Sequence, residues 1–576
     1  MKSGDFLLIA GLCFSLLAPV AVQAKTNGAA AKGAKQSASA WHKADLNRKR
    51  ALWRAKWEAQ QRARVNQNQR QKKWQSKSRP APQQRFSAPP RHKNIQHTAA
   101  RIALPKRNYA SYRVPHKTPA VFNRLPFEVV SRLRSRGIGE YGVSAYVRDV
   151  NSARPLLAYQ DDTARVPASV MKLITSYAAL GILGPSYRWP LDVYTRGTIR
   201  NGTLQGDLYI KGYGSPEFNT EELRKVLHGI RQKGIRNVSG RIVLDNTYFN
   251  SVSKYQGSFD NKSQVAYNAK PDALLFNERL SSFQVRASGK RVHISTSTPT
   301  YNLKIVNKMR KTRRGCRPRI SVSKQGGLTQ VTFRGHFSSR CGTRTYTRVI
   351  SEPVNMVYGT LRSLWKREVG GSLNTRFATG RVPGNARPLL RTYSRTLAQI
   401  LPTIDKKSNN VMARQLLLTI GAKTSGRQGT ERNGAEAIGA WLNQRGLHFP
   451  ELRIENGSGL SRTARISARH IGDLLVDAYR SPYRNILMHS LAVAGVDGTM
   501  KRRLRGTRVR GRGYFKTGTL RDVRSIAGYV KASDGKTYVM AILHNDPKAR
   551  YRALAAHDKL IEWVFDGGRS QQLALR

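Results

Sequence analysis

The feature that most limits what this chain can fold into is an abrupt change of texture near residue 119. Residues 25–118 hold 24 Lys and Arg against two acids, Asp45 and Glu58, and are rich in Gln, Asn, Ala, Ser and Pro with few aliphatic side chains. Such a stretch cannot bury enough apolar surface to offset the entropy of ordering it, so a largely disordered tail is expected. Within it, Ala40 to Gln75 interleaves Trp41, Leu52, Trp53, Trp57 and Trp74 with basic residues, as surface-binding helices do. A merely solubilising tail is the competing reading.

The chain has a formal charge of +69, of which the tail supplies 24 less 2, or +22; Lys2 cancels Asp5, so residues 119–576 keep +47. Charge on this scale speaks to partners and solubility rather than to fold, and makes an envelope polyanion a candidate partner. Ahead of the tail, Lys2, an apolar run from Phe6 to Val22 and small residues ending in Ala24 have the layout of a secretory signal peptide cut after Ala24. A retained anchor is the alternative, although about 17 apolar residues sit at the short edge of spanning length. Export to the periplasm is the expectation, with envelope association through the tail, and it makes nucleic acid an unexpected partner. Past the signal segment only Cys316 and Cys341 remain, an even pair in a compartment that allows a disulfide.

At 576 residues the chain exceeds one ordinary core. Val143 to Val150 alternates like a strand, and Pro167 leads into an apolar helical pattern from Ser169 to Leu180. From Trp189 to Arg381 short β-like runs such as Gly206–Ile210 and Arg241–Asp245 alternate with Gly, Asn and Ser. Helical periodicity returns at Val411–Ile420 and Ile471–Tyr479, a hairpin is expected over Ala527–Val530 and Tyr538–Leu543, and a last helix over Tyr551–Phe565. The organisation expected is therefore a signal peptide (1–24), a tail (25–118), a first catalytic part (119–188), one or two inserted β-rich domains (189–381) and a second catalytic part (382–576).

Three short motifs carry the chemistry: Ser169-Val170-Met171-Lys172, Ser408-Asn409-Asn410 and Lys516-Thr517-Gly518. In this order they form the S-x-x-K, S-x-N and K-T-G signature of serine acyltransferases that act on β-lactams and D-Ala-D-Ala peptides. Residues three apart on a helix share a face, so Lys172 stands beside the Ser169 hydroxyl. A hydroxyl at its free pKa is a poor nucleophile, and a neutral lysine held by burial and nearby cations can take its proton. Ser408 relays that proton toward the leaving amine, and Asn410 points its amide at the substrate backbone. Lys516 and Thr517 offer a cation and a hydroxyl to a terminal carboxylate, while Gly518 lets an extended peptide approach the strand. The backbone N–H groups of Ser169 and Thr519 form the oxyanion hole, each donor worth about 3 kcal/mol. Taken singly these motifs are weak. Ser251-Val252-Ser253-Lys254 is a decoy that lacks the following helical pattern. The 12 His show no metal-ligand spacing, and neither a phosphate-binding loop nor a dinucleotide fingerprint is present, so neither metal nor cofactor is expected.

With these residues in place, most of 120–565 resembles the penicillin-binding protein 4 family of D-alanyl-D-alanine carboxypeptidases/endopeptidases. Further points of likeness are Leu183-Gly184-Pro185-Ser186-Tyr187-Arg188, Gly206 to Gly214, Asn456-Gly457-Ser458-Gly459-Leu460-Ser461-Arg462 and Ala494 to Met500. The separation of 239 positions from Ser169 to Ser408 also fits a family that houses extra domains there. The resemblance implies an α+β penicillin-recognising catalytic domain, an antiparallel sheet flanked by helices. It implies hydrolysis of peptidoglycan stem peptides or cross-links through an acyl-enzyme, and covalent inhibition by β-lactams. It further implies that Asp245 reaches a side-chain amine of the stem peptide, against the plainer reading of a strand-end Asp capping a turn. Ser215 and Trp189 depart from the family's usual Asp and Thr, and the basic tail has no counterpart. A β-lactamase is the rival enzyme, disfavoured by the long insert. An inactive wall- or polyanion-binding scaffold is the rival from another class, opposed by the intact motifs.

Overall fold

The computed structural model describes residues 120–569 except 251–258, 299, 326 and 374–376. The signal segment, the tail and the Ser251 decoy lie outside the described residues. The chain enters through α1 (Phe127–Arg134), β1 (Val143–Asp149) and β2 (Pro155–Tyr159), turns through one 3-10 turn at Ala168–Met171, and runs into α2 (Lys172–Leu183).

The insert follows with β3 (Pro190–Arg200), β4 (Thr203–Gly212), α3 (Thr220–Gln232) and β5 (Ile242–Asp245). Six strands then build a small sandwich: β6 (Ser281–Ser288), β7 (Arg291–Thr296), β8 (Leu303–Lys311), β9 (Arg319–Gln325), β10 (Leu328–Phe337) and β11 (Arg344–Arg348). α4 (Pro353–Val369), β12 (Phe377–Thr379) and β13 (Arg387–Tyr393) return to the first insert sheet, ordered β12-β5-β4-β3-β13. That sheet closes on β13, twelve residues past the boundary expected at 381. Two helices interrupt the expected β texture. Leu223, Val226, Leu227 and Ile230 of α3 recur at helical spacing, and the Asn219 side chain caps its first turn by accepting from Glu221 and Glu222 N–H.

The second catalytic part supplies α5 (Leu397–Lys406), α6 (Asn410–Ser425), α7 (Glu431–Gln444), α8 (Ala468–Arg480) and α9 (Arg484–Ser490). It ends in β14 (Ala492–Val493), β15 (Gly513–Thr519), β16 (Val523–Lys531), β17 (Thr537–Asn545), α10 (Ala549–Arg552) and α11 (Leu554–Phe565). The six-stranded sheet runs β14-β15-β16-β17-β1-β2, and every pairing in it is antiparallel. Strand alternation sorts its side chains. Val539, Ala541 and Leu543 join the core around α2, α6 and α8, while Met540 and Ile542 join a second core with α11 and α1. The sheet is thus covered by helices on both faces. The last helix expected over Tyr551–Phe565 breaks at Ala553 into α10 and α11.

In the sandwich, β11-β6-β7 and β9-β10-β8 share one apolar core that includes Phe283, Val285, Val331, Phe333 and Phe337. Cys316 and Cys341 are bonded, their Cα atoms 5.7 Å apart. A closed loop with a sequence separation of 25 is worth about 3 kcal/mol by loop entropy. The double variant Cys316→Ser, Cys341→Ser is therefore expected to raise hydrogen exchange across 281–348 while leaving acylation of the enzyme unchanged. Non-reducing peptide mapping that finds the two thiols free in exported protein would contradict the bond itself.

Candidate active site

Ser169 sits half-buried in the 3-10 turn, directly after Ala168, which is fully buried and holds φ +48°. Left-handed backbone at a residue with a side chain costs of order 1–3 kcal/mol and survives only where its surroundings fix it. Two glycines supply that fixing. A Cβ on Gly459 would lie 1.8 Å from the Ala168 carbonyl oxygen, and one on Gly518 would lie 2.7 Å from that of Pro167. Only hydrogen at these two positions lets a loop and a strand press on the turn from both sides.

One helical turn on, Lys172 is fully buried. Its Nζ lies 3.0 Å from Ser169 Oγ, 2.7 Å from Asn410 Oδ1 and 2.6 Å from the Ser458 carbonyl. A neutral amine has two N–H donors and one lone pair. The carbonyls of Asn410 and Ser458 take the two donors, which leaves the lone pair for the Ser169 hydroxyl. Burial above all, then the charges of Lys516 and Arg414, hold the Lys172 amine well below the usual lysine range, with Asp405 acting the other way.

The S-x-N motif lies at the start of α6. Ser408 holds φ +55°, and the Asn409 side chain caps the helix by accepting from Met412 N–H. Lys516, fully buried on β15, donates to Ser408 Oγ at 2.9 Å and to the Thr517 carbonyl at 2.8 Å. Burial pulls its amine down to about 8, opposed by Asp405. Thr517 Oγ1 meets Thr499 Oγ1 at 2.8 Å, and Arg524 donates to Thr519 Oγ1 at 3.0 Å. β14 covers β15 only at Tyr514 and Phe515. From Lys516 to Thr519 the outer edge is therefore open, and ladder alternation from the Leu520 to Val523 bond turns the Thr517 and Thr519 amides toward it. A cavity of about 780 Å³ opens here, lined by Ser169, Ser408, Asn410, Thr499, Thr517 and Thr519, with Asp260, Lys262 and Tyr267 contributed by the insert.

Asp245 does not join this cluster. Its carboxylate is fully buried, accepts from Thr247 N–H, Thr247 Oγ1 and Val382 N–H, and lies 3.7 Å from Lys211 Nζ. All its acceptor capacity is spent inside the insert, so the expected contact with a substrate amine is corrected to the plainer capping role.

Three partners went unread in the sequence: the Ser458 carbonyl, Thr499 and Asp405. The first two stand in segments whose likeness to the family was noted without a role. Asp405 is fully buried, accepts from Ser176 Oγ at 3.1 Å and Ser490 Oγ at 2.8 Å, and is pushed up to about 6 by burial against the pull of Lys516 and Lys172. A lone Asp in an apolar helix three residues before Ser408 was the one available signal.

An antiparallel sheet between helical layers, with a helix-start serine, a neutral lysine and an open strand edge, defines a penicillin-recognising serine acyltransferase. Residues 130–564 match the model of the D-Ala-D-Ala carboxypeptidase 3 (S13) family. The chain belongs to that family and is a serine-type D-Ala-D-Ala peptidase, a hydrolase of the penicillin-binding class. It is 28% identical over 407 residues to a D-alanyl-D-alanine carboxypeptidase of an Actinomadura strain, covering 68% of this chain and 75% of the relative. It is 22% identical over 408 residues to the carboxypeptidase DacB of Haemophilus influenzae, covering 68% and 83%. The crystal structure of penicillin binding protein 4 from Haemophilus influenzae shares the fold, with TM-score 0.66 at 20% identity over 76% of this chain and 100% of that one.

The two lysines fix the expected pH profile. Lys172 must be neutral to accept a proton, so the acylation rate is lost as pH falls through its depressed pKa. Lys516 must be charged to hold a carboxylate, so the rate is lost as pH rises through about 8. Asp405→Asn removes the charge that raises the Lys516 pKa, and the alkaline limb should move down by about one pH unit. Stopped-flow acylation against pH checks both limbs; an alkaline limb unmoved in a folded Asp405→Asn variant contradicts this assignment.

Proposed function

We propose that the enzyme hydrolyses the terminal D-Ala-D-Ala bond of peptidoglycan stem peptides, or the D-Ala bond of a cross-link, with Ser169 as nucleophile. The observation that carries this reading is the buried Lys172 amine, which lies 3.0 Å from Ser169 Oγ with two carbonyls in reach of its N–H donors. Ser169 Oγ attacks the D-Ala carbonyl as its proton passes to Lys172 Nζ. The oxyanion forms toward the amides of Ser169 and Thr519. The proton returns to the leaving amine by way of Ser408, and free D-Ala or the severed cross-link departs. Water then attacks the ester by the reverse proton route and frees Ser169. Lys516, Thr517 and Thr499 form a cation and two hydroxyls for the carboxylate beyond the scissile bond. Penicillin presents the same carboxylate and a strained acyl group, so it acylates Ser169 and stays.

Mass spectrometry of the penicillin-treated protein should place one adduct on the peptide holding Ser169, and Ser169→Ala should abolish it. An adduct on another residue overturns the nucleophile. Rapid turnover of penicillin would favour the β-lactamase reading instead.

The export signal and tail complete the proposal: the protein acts in the periplasm, and residues 25–118 hold it to an anionic envelope polymer without altering its chemistry. Exposed charge contacts fade with salt, because their reach is about 10 Å at 0.1 M. Deletion of 25–118 should leave turnover of a soluble D-Ala-D-Ala peptide unchanged and weaken retention on isolated envelopes, most at low salt. Equal retention of the two proteins at low salt excludes the tail as the tether.

A further inference from the structure

The small sandwich carries a charge pattern that catalysis does not use. Residues 281–348 contain 16 Lys and Arg, 11 of them Arg, and no Asp or Glu. Every one of these cations except Arg348 is exposed. The segment thus offers its own cations no carboxylate. Lys311, Arg344 and Arg348 donate instead to the backbone carbonyls of Gly289, Cys341 and Thr347.

Strand alternation gathers part of this charge on one face. In the β9-β10-β8 sheet, Val331, Phe333 and Phe337 of β10 point into the core, so Arg334 and His336 point out. Arg334 pairs in register with Arg319 of β9 on one side and with Lys308 of β8 on the other. Lys304 and Arg310 extend the same outward row along β8. Directly opposed residues place their Cβ atoms about 4.5–5.5 Å apart, and like charges there are destabilising. Two such repulsions share Arg334. The apolar core does not require them, since it is built from the opposite face, and the disulfide does not either. Arg313, Arg314 and Arg317 continue the charge into the β8–β9 connection, which the Cys316–Cys341 bond and the Tyr346 hydroxyl on the Cys316 carbonyl tie to the sandwich.

We propose that the outer face of the β9-β10-β8 sheet is a binding surface for a linear polymer that carries phosphate groups. The excess of Arg fits this chemistry, because a guanidinium meets phosphate through two parallel N–H donors. The other outward positions hold Ser, Gln, Thr, Val and His, with a single exposed Leu, Leu328, at the end of β10 and no aromatic side chain. A surface made for a lipid interface presents Trp, Phe or Leu for insertion. One made for single-stranded nucleic acid presents aromatic rings for stacking. This face has one Leu at the sheet's end and no ring, and a chain of phosphates threaded across opposed cations relieves their repulsion directly. The site lies on an apolar core separate from those around the Ser169 turn, so it serves to hold the enzyme on an anionic polymer and is independent of the acyl-enzyme chemistry.

The test uses the full chain and long-chain inorganic polyphosphate as probe, titrated at several salt concentrations by isothermal calorimetry. The variant Lys308→Gln, Arg319→Gln, Arg334→Gln should bind at least tenfold more weakly at 0.1 M salt. Its log–log salt slope should be shallower by about 2, the release of three counterions at about 0.7 each. Because the substitutions remove like-charge contacts, the melting temperature should hold or rise, and turnover of a soluble D-Ala-D-Ala peptide and penicillin labelling of Ser169 should be unchanged. Affinity and slope equal to wild type overturn the proposal and leave the binding to the tail. Tighter binding to phosphatidylglycerol vesicles than to polyphosphate, lost in the same variant, overturns it in favour of a lipid surface. Should the triple variant melt early, Arg313→Gln with Arg314→Gln on the connection gives the same two readings without touching a strand.

Discussion

Two buried lysines around one serine are the constraint on which the rest of this catalytic domain depends. Burying an ammonium costs several kcal/mol unless it is paired or loses its proton. Lys172 takes the second course and Lys516 keeps its charge, and the difference follows from what each one faces. Lys172 points at two carbonyls and a hydroxyl; Lys516 points at Ser408, the Thr517 carbonyl and the field of Asp405. One buried carboxylate suffices for one buried cation. Asp405 raises both amines, while Lys516 and Arg414 press Lys172 down as well; no hydrogen bond joins Asp405 to either amine among the described residues, its own partners being Ser176, one turn past Lys172, and Ser490 just before β14.

That electrostatic arrangement works only if three chain segments distant in sequence are held within hydrogen-bond reach. The fold achieves this by contact of backbone with backbone. Gly459 and Gly518 admit a loop and a strand against the turn that carries Ser169, and both press on the left-handed Ala168. The long insert between α2 and α5 leaves this geometry intact because it departs and returns on one side, Trp189 N–H donating to Ser394 Oγ at 3.0 Å where the two connections meet. It also adds to the site, since Asp260, Lys262 and Tyr267 form one wall of the cavity and Asn410 donates to the Tyr267 carbonyl. The cavity is therefore lined by both the catalytic part and the insert, whereas the cluster of Ser169, Lys172, Ser408 and Lys516 belongs to the catalytic part alone.

Much of this was legible in the sequence. The helix-start Ser169 with Lys172 on its face, the paired terminal strands and the helices after Asn410 and before Tyr479 are local patterns, and local patterns are what periodicity records. α3 was legible too, but its amphipathic stripe lies in a region dominated by short β runs. What the sequence withheld depends on long-range approach. A carbonyl such as that of Ser458 has no side-chain signature, and the role of Gly518 at the nucleophile turn appears only when Pro167 is seen beside it. Asp245 failed for the opposite reason: a likeness of motif carried a role across, while the three N–H and O–H donors that consume its carboxylate come from Thr247 and from Val382, 137 residues away.

The surface charge and the buried charge obey different rules, and the molecule keeps them apart. The excess of +47 on residues 119–576 is spread over exposed side chains that water and salt screen within about 8–10 Å. It leaves the amines beside Ser169 to their immediate neighbours, and the cations that press on Lys172 are the buried Lys516 and Arg414. What the surface field does act on is the approach of ligands. A stem peptide ends in a carboxylate and penicillin carries one, so a net positive body steers both toward the cavity, whose rim adds Arg462, Arg521 and Arg550. Steering of this kind enters the association rate and not the chemical step. The excess charge is thus compatible with the site because the two act at different stages, capture outside and proton transfer within.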